Sequence, residues 1–255
     1  MNHLNKLTYI SNAGVMLEIN EKKILIDSFC NPRMPIYKRI PDEVKQQIML
    51  GISPFNDIDM LLFTHHHTDH FDAESVESFM ERNEKAFALA TPQSMMMLNS
   101  VFFDSKESRL IKVEPKKYQT EDIHLNGIDI QAISMLHMGK EYEEVENFAY
   151  LINVGGKKIL HVGDAKPAQE NYMDLNLIRE DIDLLIAPFP YISIAAGRQM
   201  IEKYIRPKNI VAMHLPYKEL DSDGWIDAAK KCYEKVRDSF PRTVFLEEIG
   251  ECITI

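Results

Sequence analysis

Ten residues, FTHHHTDHFD at positions 63–72, hold four of the chain's nine histidines together with two aspartates. Imidazole nitrogens and carboxylate oxygens are the donors that first-row divalent ions such as zinc accept. A His-rich stretch can equally be a solvated polar loop, so the residues before it decide. DMLLFT (59–64) reads as a short apolar strand ending where His65 begins, which puts the cluster at the mouth of a sheet. Extended backbone over 65–67 sends His65 and His67 to one side and His66 to the other. Asp69 and His70 follow as the chain turns toward a helix starting near residue 73. One short loop can therefore offer two imidazoles to one metal, and a carboxylate with an imidazole to a second.

The elements that must position these groups alternate strand and helix. VMLEIN and KILIDS, separated by a short polar turn at Glu-Lys, make a hairpin pattern. DIHLNGIDIQAIS pivots on Asn126-Gly127 and FAYLINVGGKKILHVGD on Gly155-Gly156, both strong hairpin signals. Strands are also expected at 59–64, 85–91, 183–189 and 209–214. Helices are expected over 73–82 with Asp72 as N-cap, over 92–99 opening on Pro92, and over 223–239. The Met95-Met96-Met97 run reads as core side chains of the second helix. The pattern is a mixed sheet with helices packed outside. A weak echo links NEKKILIDS (20–28) with VGGKKILHVGD (154–164): turn, Lys-Lys-Ile-Leu strand, then an aspartate at the exit.

With 255 residues, 45% hydrophobic and 27% charged, the chain can bury a substantial core, and a single domain over 1–255 is expected. A net charge of −10 disfavours nucleic acid as a partner, because phosphate-reading surfaces are basic. Cys30, Cys232 and Cys252 are an odd set without CxxC spacing, which suits a reducing compartment. The N-terminus lacks the pattern of a signal peptide, and no apolar run reaches the ~20 residues of a membrane span. A cytoplasmic protein with a small-molecule substrate and no membrane partner is the expectation, with homo-oligomerisation left open.

The cluster resembles the signature HxHxDH of the metallo-β-lactamase-fold hydrolases, present here as His65-x-His67-x-Asp69-His70. The resemblance extends along the chain. The family's upstream aspartate fits Asp27 in KILIDS, its lone histidine His137 in ISMLHMG, its bridging carboxylate Asp164 in HVGDA, and its last histidine His214 in VAMH. It implies an α/β fold, a four-layer αββα sandwich with mixed sheets, whose internal pseudo-symmetry would explain the Lys-Lys-Ile-Leu echo. It further implies that His65, His67 and His137 hold one metal, that Asp69, His70 and His214 hold the other, and that Asp164 bridges them. Two divalent ions are implied as cofactors, zinc first, with manganese and iron also compatible with the donors. Such a pair generates a metal-bound hydroxide near neutral pH, with Asp69 and Asp164 as the catalytic carboxylates. Asp27 would support the ligand loop through hydrogen bonds.

No cysteine falls on a ligand position, which disfavours β-lactam hydrolysis; the all-His/Asp set matches the family's lactonases and phosphodiesterases. SNAGVMLEINEKKILIDSF, GDAKP and APFPYIS are similar to the compact branch that includes L-ascorbate-6-phosphate lactonase. The implied reaction is hydrolysis of an ester-like bond, lactone or phosphodiester, in a small anionic substrate. A non-hydrolytic di-iron redox or sensory protein is the alternative, and a degenerate structural member the third reading. Arg33, Lys38 and Arg39, in the proline-containing stretch 31–47, are candidate substrate-binding cations, and Lys166 and Tyr191 candidate oxyanion or leaving-group partners. His161 is a candidate support for the metal ligands; His66 reads as scaffold, and His124 and His3 as surface.

Overall fold

The structure is a computed structural model that describes residues 5–255, so the expectation for His3 lies outside the described residues. The chain divides into two compact units, one running to Glu114 and completed by Ile249–Ile255, the other Pro115–Glu248.

The first unit carries strands β1 (Lys6–Tyr9), β2 (Val15–Ile19), β3 (Lys22–Ile26), β4 (Met60–Leu62), β5 (Phe87–Leu89) and β6 (Leu110–Ile111). Its helices are α1 (Asp42–Met49), α2 (Ala73–Arg82), α3 (Pro92–Met95) and α4 (Ser100–Lys106). The second unit carries β7 (Thr120–Leu125), β8 (Ile128–Leu136), β9 (Glu146–Val154), β10 (Lys157–His161), β11 (Leu184–Pro188), β12 (Asn209–Met213) and β13 (Arg242–Phe245). Its helices are α5 (Pro190–Ser193), α6 (Ala195–Met200) and α7 (Trp225–Glu234). A last strand, β14 (Cys252–Thr254), returns to pair with β1 in the first unit. No helix among the described residues is long and apolar enough to cross a membrane.

Three hairpins turn through pairs of residues at positive φ, two of them where the sequence places them. These are Asn126-Gly127 (φ 52° and 78°), Gly155-Gly156 (55° and 74°) and Asn20-Glu21 (48° and 67°), the last one residue earlier than the expected Glu-Lys turn. Among the described residues each unit has one seven-stranded sheet, ordered β14-β1-β2-β3-β4-β5-β6 and β13-β12-β11-β10-β9-β8-β7. The Lys-Lys-Ile-Leu strands β3 and β10 occupy the same central place. Each pairs antiparallel with the strand before it and parallel with the strand after it. The likeness reaches single bonds: Lys23 N donates to Asp59 Oδ2 and Lys158 N to Asp183 Oδ2, each at 3.0 Å. The sequence echo is thus a structural one, and both parallel strand series run toward an exit that bears site residues.

Helix α2 shows why the first unit holds together. Val76, Phe79 and Met80 bury one face, and each such side chain contributes roughly 1.5–3 kcal/mol on leaving water. Asp72 sits at the N-cap, but its carboxylate accepts from the Ser75 hydroxyl instead of capping a backbone N–H. Three expectations are corrected. The 92–99 helix breaks after Met95 and restarts as α4, because Asn99 accepts from Val101 N at 2.9 Å and caps a new helix. Of the methionine run only Met95 is core; Met96 is 83% exposed, beside a cavity of about 490 Å³ that Pro92, Leu98 and Phe103 also line. The 223–239 helix is shorter, Trp225–Glu234, with the Asp221 carboxylate receiving Trp225 N and Ile226 N at its start.

Candidate metal centre

In the first unit the histidine cluster leaves β4 and is organised by Asp27, which leaves the adjacent β3. Asp27 is fully buried at φ 47°, a left-handed conformation that a short polar side chain tolerates. Its Oδ1 accepts Thr64 N at 2.8 Å, and its Oδ2 accepts the Thr64 hydroxyl at 2.6 Å and His70 Nδ1 at 2.8 Å. The Thr64 proton is committed to Asp27, so Thr64 Oγ1 accepts from His65 Nδ1, 3.0 Å away. One carboxylate therefore fixes the tautomer of two histidines, leaving the Nε2 lone pairs of His65 and His70 as the donors on offer. His65 Nε2 and His67 Nδ1 face each other at 3.1 Å, as same-side side chains of an extended segment should. The chain then tightens into a turn, with His70 N and Phe71 N both donating to His67 O, which delivers Asp69 and His70. Asp69 Oδ2 lies 3.7 Å from His70 Nε2. His66 is half-buried beside His67.

In the second unit two imidazoles converge on one carboxylate oxygen. Asp164 Oδ2 lies 3.8 Å from His137 Nε2 and 3.4 Å from His214 Nε2. His137 follows β8 and donates from Nδ1 to Met138 O at 2.6 Å, which again leaves the Nε2 lone pair as the donor on offer. His214 follows β12 at φ 62°, a strained position for a residue with a Cβ and one more common at functional sites. The loop bearing Asp164 is held on two sides. Asn147, fully buried, accepts Asp164 N at 3.0 Å and donates to Val162 O at 3.3 Å; His161 Nδ1 accepts Gly163 N at 3.1 Å. His161 thus acts on the turn that presents Asp164. Asn147 went unnoticed in the sequence, where a lone asparagine in a strand carries no signal of its own.

The remaining candidates separate. Lys166 is exposed, and its backbone N donates to Leu136 O at 2.7 Å. Tyr191 is fully buried: its hydroxyl donates to Ala165 O at 2.9 Å and meets the Tyr172 hydroxyl, so it reaches the site through the backbone next to Asp164. Burial pushes the pKa of both tyrosines above the ordinary phenol value, strengthened at Tyr191 by Tyr172 and Asp164. In the first unit Arg33 and Arg39 are exposed, whereas Lys38 is only 3% exposed.

The donor chemistry fits metal ions. His65, His67, Asp69, His70, His137, Asp164 and His214 each belong to a group of His and Asp side chains able to hold one, and all but the half-buried His67 are buried. The three histidines whose Nδ1 proton has a fixed acceptor present Nε2, the arrangement that metal-ligating imidazoles adopt. A sequence model of the beta-lactamase superfamily domain matches residues 6–214, from the first strand to the last of these histidines. The chain belongs to that superfamily. Among relatives, it is 24% identical over 214 residues to a UPF0173 metal-dependent hydrolase of Methanosarcina mazei, covering 82% of each chain. Igni18, a metallo hydrolase of Ignicoccus hospitalis, is 18% identical and superposes with a TM-score of 0.65 over 99% of both chains. An isothiocyanate hydrolase from Delia radicum gut bacteria is 15% identical, with a TM-score of 0.63 over 98% of both. These superpositions establish the fold: mixed α/β with two mixed sheets, as the superfamily resemblance implied.

Proposed function

We propose that this beta-lactamase superfamily chain is a dinuclear metal-dependent hydrolase that cleaves an ester-like bond, lactone or phosphodiester, in a small anionic substrate. In this reading the two compact units act as one domain. His65, His67 and His137 hold one metal, Asp69, His70 and His214 the other, and Asp164 both. The observation that carries it is Asp164 Oδ2 facing two imidazole Nε2 atoms, at 3.8 and 3.4 Å: a carboxylate so placed is shaped to bridge, and its charge offsets repulsion between neighbouring cations. Bound metals, zinc foremost, would supply Lewis-acid polarisation of the substrate oxygen and would lower the pKa of water toward neutrality.

The chain's own groups do the rest. Asp27 keeps His65 and His70 in the tautomer and orientation that present Nε2. Asn147 and His161 hold the Asp164 turn. Asp69 orients the attacking water and takes its proton at a carboxylate oxygen. Arg33 and Arg39 attract the anionic part of the substrate from the surface of their unit. The test is a turnover screen of metal-reconstituted protein against lactones, cyclic and linear phosphodiesters, thioesters and β-lactams. Hydrolysis of lactones or phosphodiesters supports the reading. Turnover confined to β-lactams or thioesters contradicts the substrate class, and oxidation chemistry in place of any hydrolysis would favour the di-iron alternative.

A further inference from the structure

Asn12 sits in the bend between β1 and β2 and is fully buried. Its Nδ2 donates to Asp69 Oδ2 at 3.1 Å. A carboxylate only accepts, so this contact fixes which face of the amide meets Asp69. The backbone of Asn12 is pinned on both sides: its N donates to Lys38 O at 2.9 Å, and its O accepts the Tyr9 hydroxyl at 3.0 Å. The bend is also pressed onto the strand exit that bears Asp27. A Cβ at Gly14 would lie 2.8 Å from Ser28 Cα and 2.9 Å from Asp27 O, so only glycine permits the approach.

The other face of the amide argues that this residue is not there for packing. Asn12 Oδ1 is buried and meets no hydrogen-bond donor among the described residues. An acceptor left so costs stability, and an apolar side chain would fill the position without that cost. What the amide supplies is the bond to Asp69. Asn12 thus fixes one lone-pair direction of Asp69 Oδ2, and His70 Nε2, the nitrogen with which Asp69 would share a cation, lies 3.7 Å from that oxygen.

We propose that Asn12 is a positioning residue for Asp69, fixing its carboxylate for metal binding as Asp27 fixes the imidazole of His70. The proposal rests on the metal-centre reading above. In its absence the Asp69 carboxylate would lose the bond that sets the orientation of Oδ2, and the metal it would share with His70 would have to restore that orientation on binding.

The experiment is a cobalt(II) titration of metal-free protein, followed by visible absorption with a competing chelator. It uses wild type, Asp69→Ala, Asn12→Asp and Asn12→Ser, with near-ultraviolet circular dichroism as the check on folding. Asn12→Asp keeps the size of the side chain and loses the donor; Asn12→Ser decides if the aspartate variant does not fold. The expected result is that the binding event abolished by Asp69→Ala weakens by about 10- to 100-fold in the Asn12 variants. The other event should stay within about threefold, and kcat should fall with little change in KM. Folded Asn12 variants that bind cobalt at that event as tightly as wild type overturn the proposal. A wild-type titration with no event sensitive to Asp69→Ala overturns the metal reading instead.

Discussion

Asp27 Oδ2 and His70 Nδ1 lie 2.8 Å apart with both side chains wholly inaccessible to solvent. This pair joins the exit of β3 to the end of the histidine turn, and the same carboxylate receives Thr64 N and Thr64 Oγ1. Removing it acts on metal binding and on folding together. Asp27→Ala should weaken metal affinity by about 10- to 100-fold, since it releases the tautomers of His70 and, through Thr64, His65. Leaving Thr64 N without its buried acceptor should cost roughly 1–3 kcal/mol in the metal-free protein. Chelator competition and urea denaturation read the two effects separately, and unchanged affinity in the folded variant would remove Asp27 from the support of the site.

The Tyr172–Tyr191 pair sets an alkaline limit. Burial raises both folded pKa values, whereas the unfolded chain ionises tyrosine at about pH 10. Below that pH both states keep their protons and the stabilisation is whole. Above it the unfolded chain sheds protons that the folded chain retains, so stability falls as pH rises. Urea midpoints should drop between pH 9 and pH 11, and the double variant Tyr172→Phe with Tyr191→Phe should flatten that drop. An equal slope in both proteins would place the alkaline transition elsewhere.

The stretch 31–47 divides by burial. Arg33 and Arg39 are exposed, and Arg39 also donates to Pro32 O at 3.2 Å; Lys38 is buried, and its carbonyl holds Asn12 N at 2.9 Å. Replacing Arg33 and Arg39 with glutamine should raise KM for an anionic substrate several-fold, on the order of 1 kcal/mol, and leave a neutral ester unaffected. Lys38→Gln should instead lower the melting temperature. Equal KM losses on charged and neutral substrates would mean that the arginines shape the surface and do not recognise charge.

Much of this was legible in the sequence because the chemistry is local. The HxHxDH spacing follows from extended backbone and one tight turn, and Asn126-Gly127 and Gly155-Gly156 announce their hairpins through positive φ. Pro41-Asp42-Glu43 is a helix start that the charges of the surrounding stretch obscured, and α1 begins there. Helices α5 and α6 were missed because their packing is tertiary: Gly197 lies so close to Tyr191 that an added Cβ would sit 2.4 Å from its Cα. Asn12 and Asn147 were invisible for a related reason. An asparagine in a bend, like Asn12, or within a strand, like Asn147, carries no signal until its burial and its carboxylate or backbone partner are known. Lys38 shows the converse, since charge is written in the sequence and burial is not.

The most direct test of the account counts metal. Wild-type protein, reconstituted and freed of excess ion, should hold about two metals per chain by elemental analysis. Asp164→Ala should lose at least one of them along with hydrolysis, because the oxygen facing His137 and His214 is gone. An Asp164→Ala protein that keeps both metals and turns over normally would contradict the dinuclear centre.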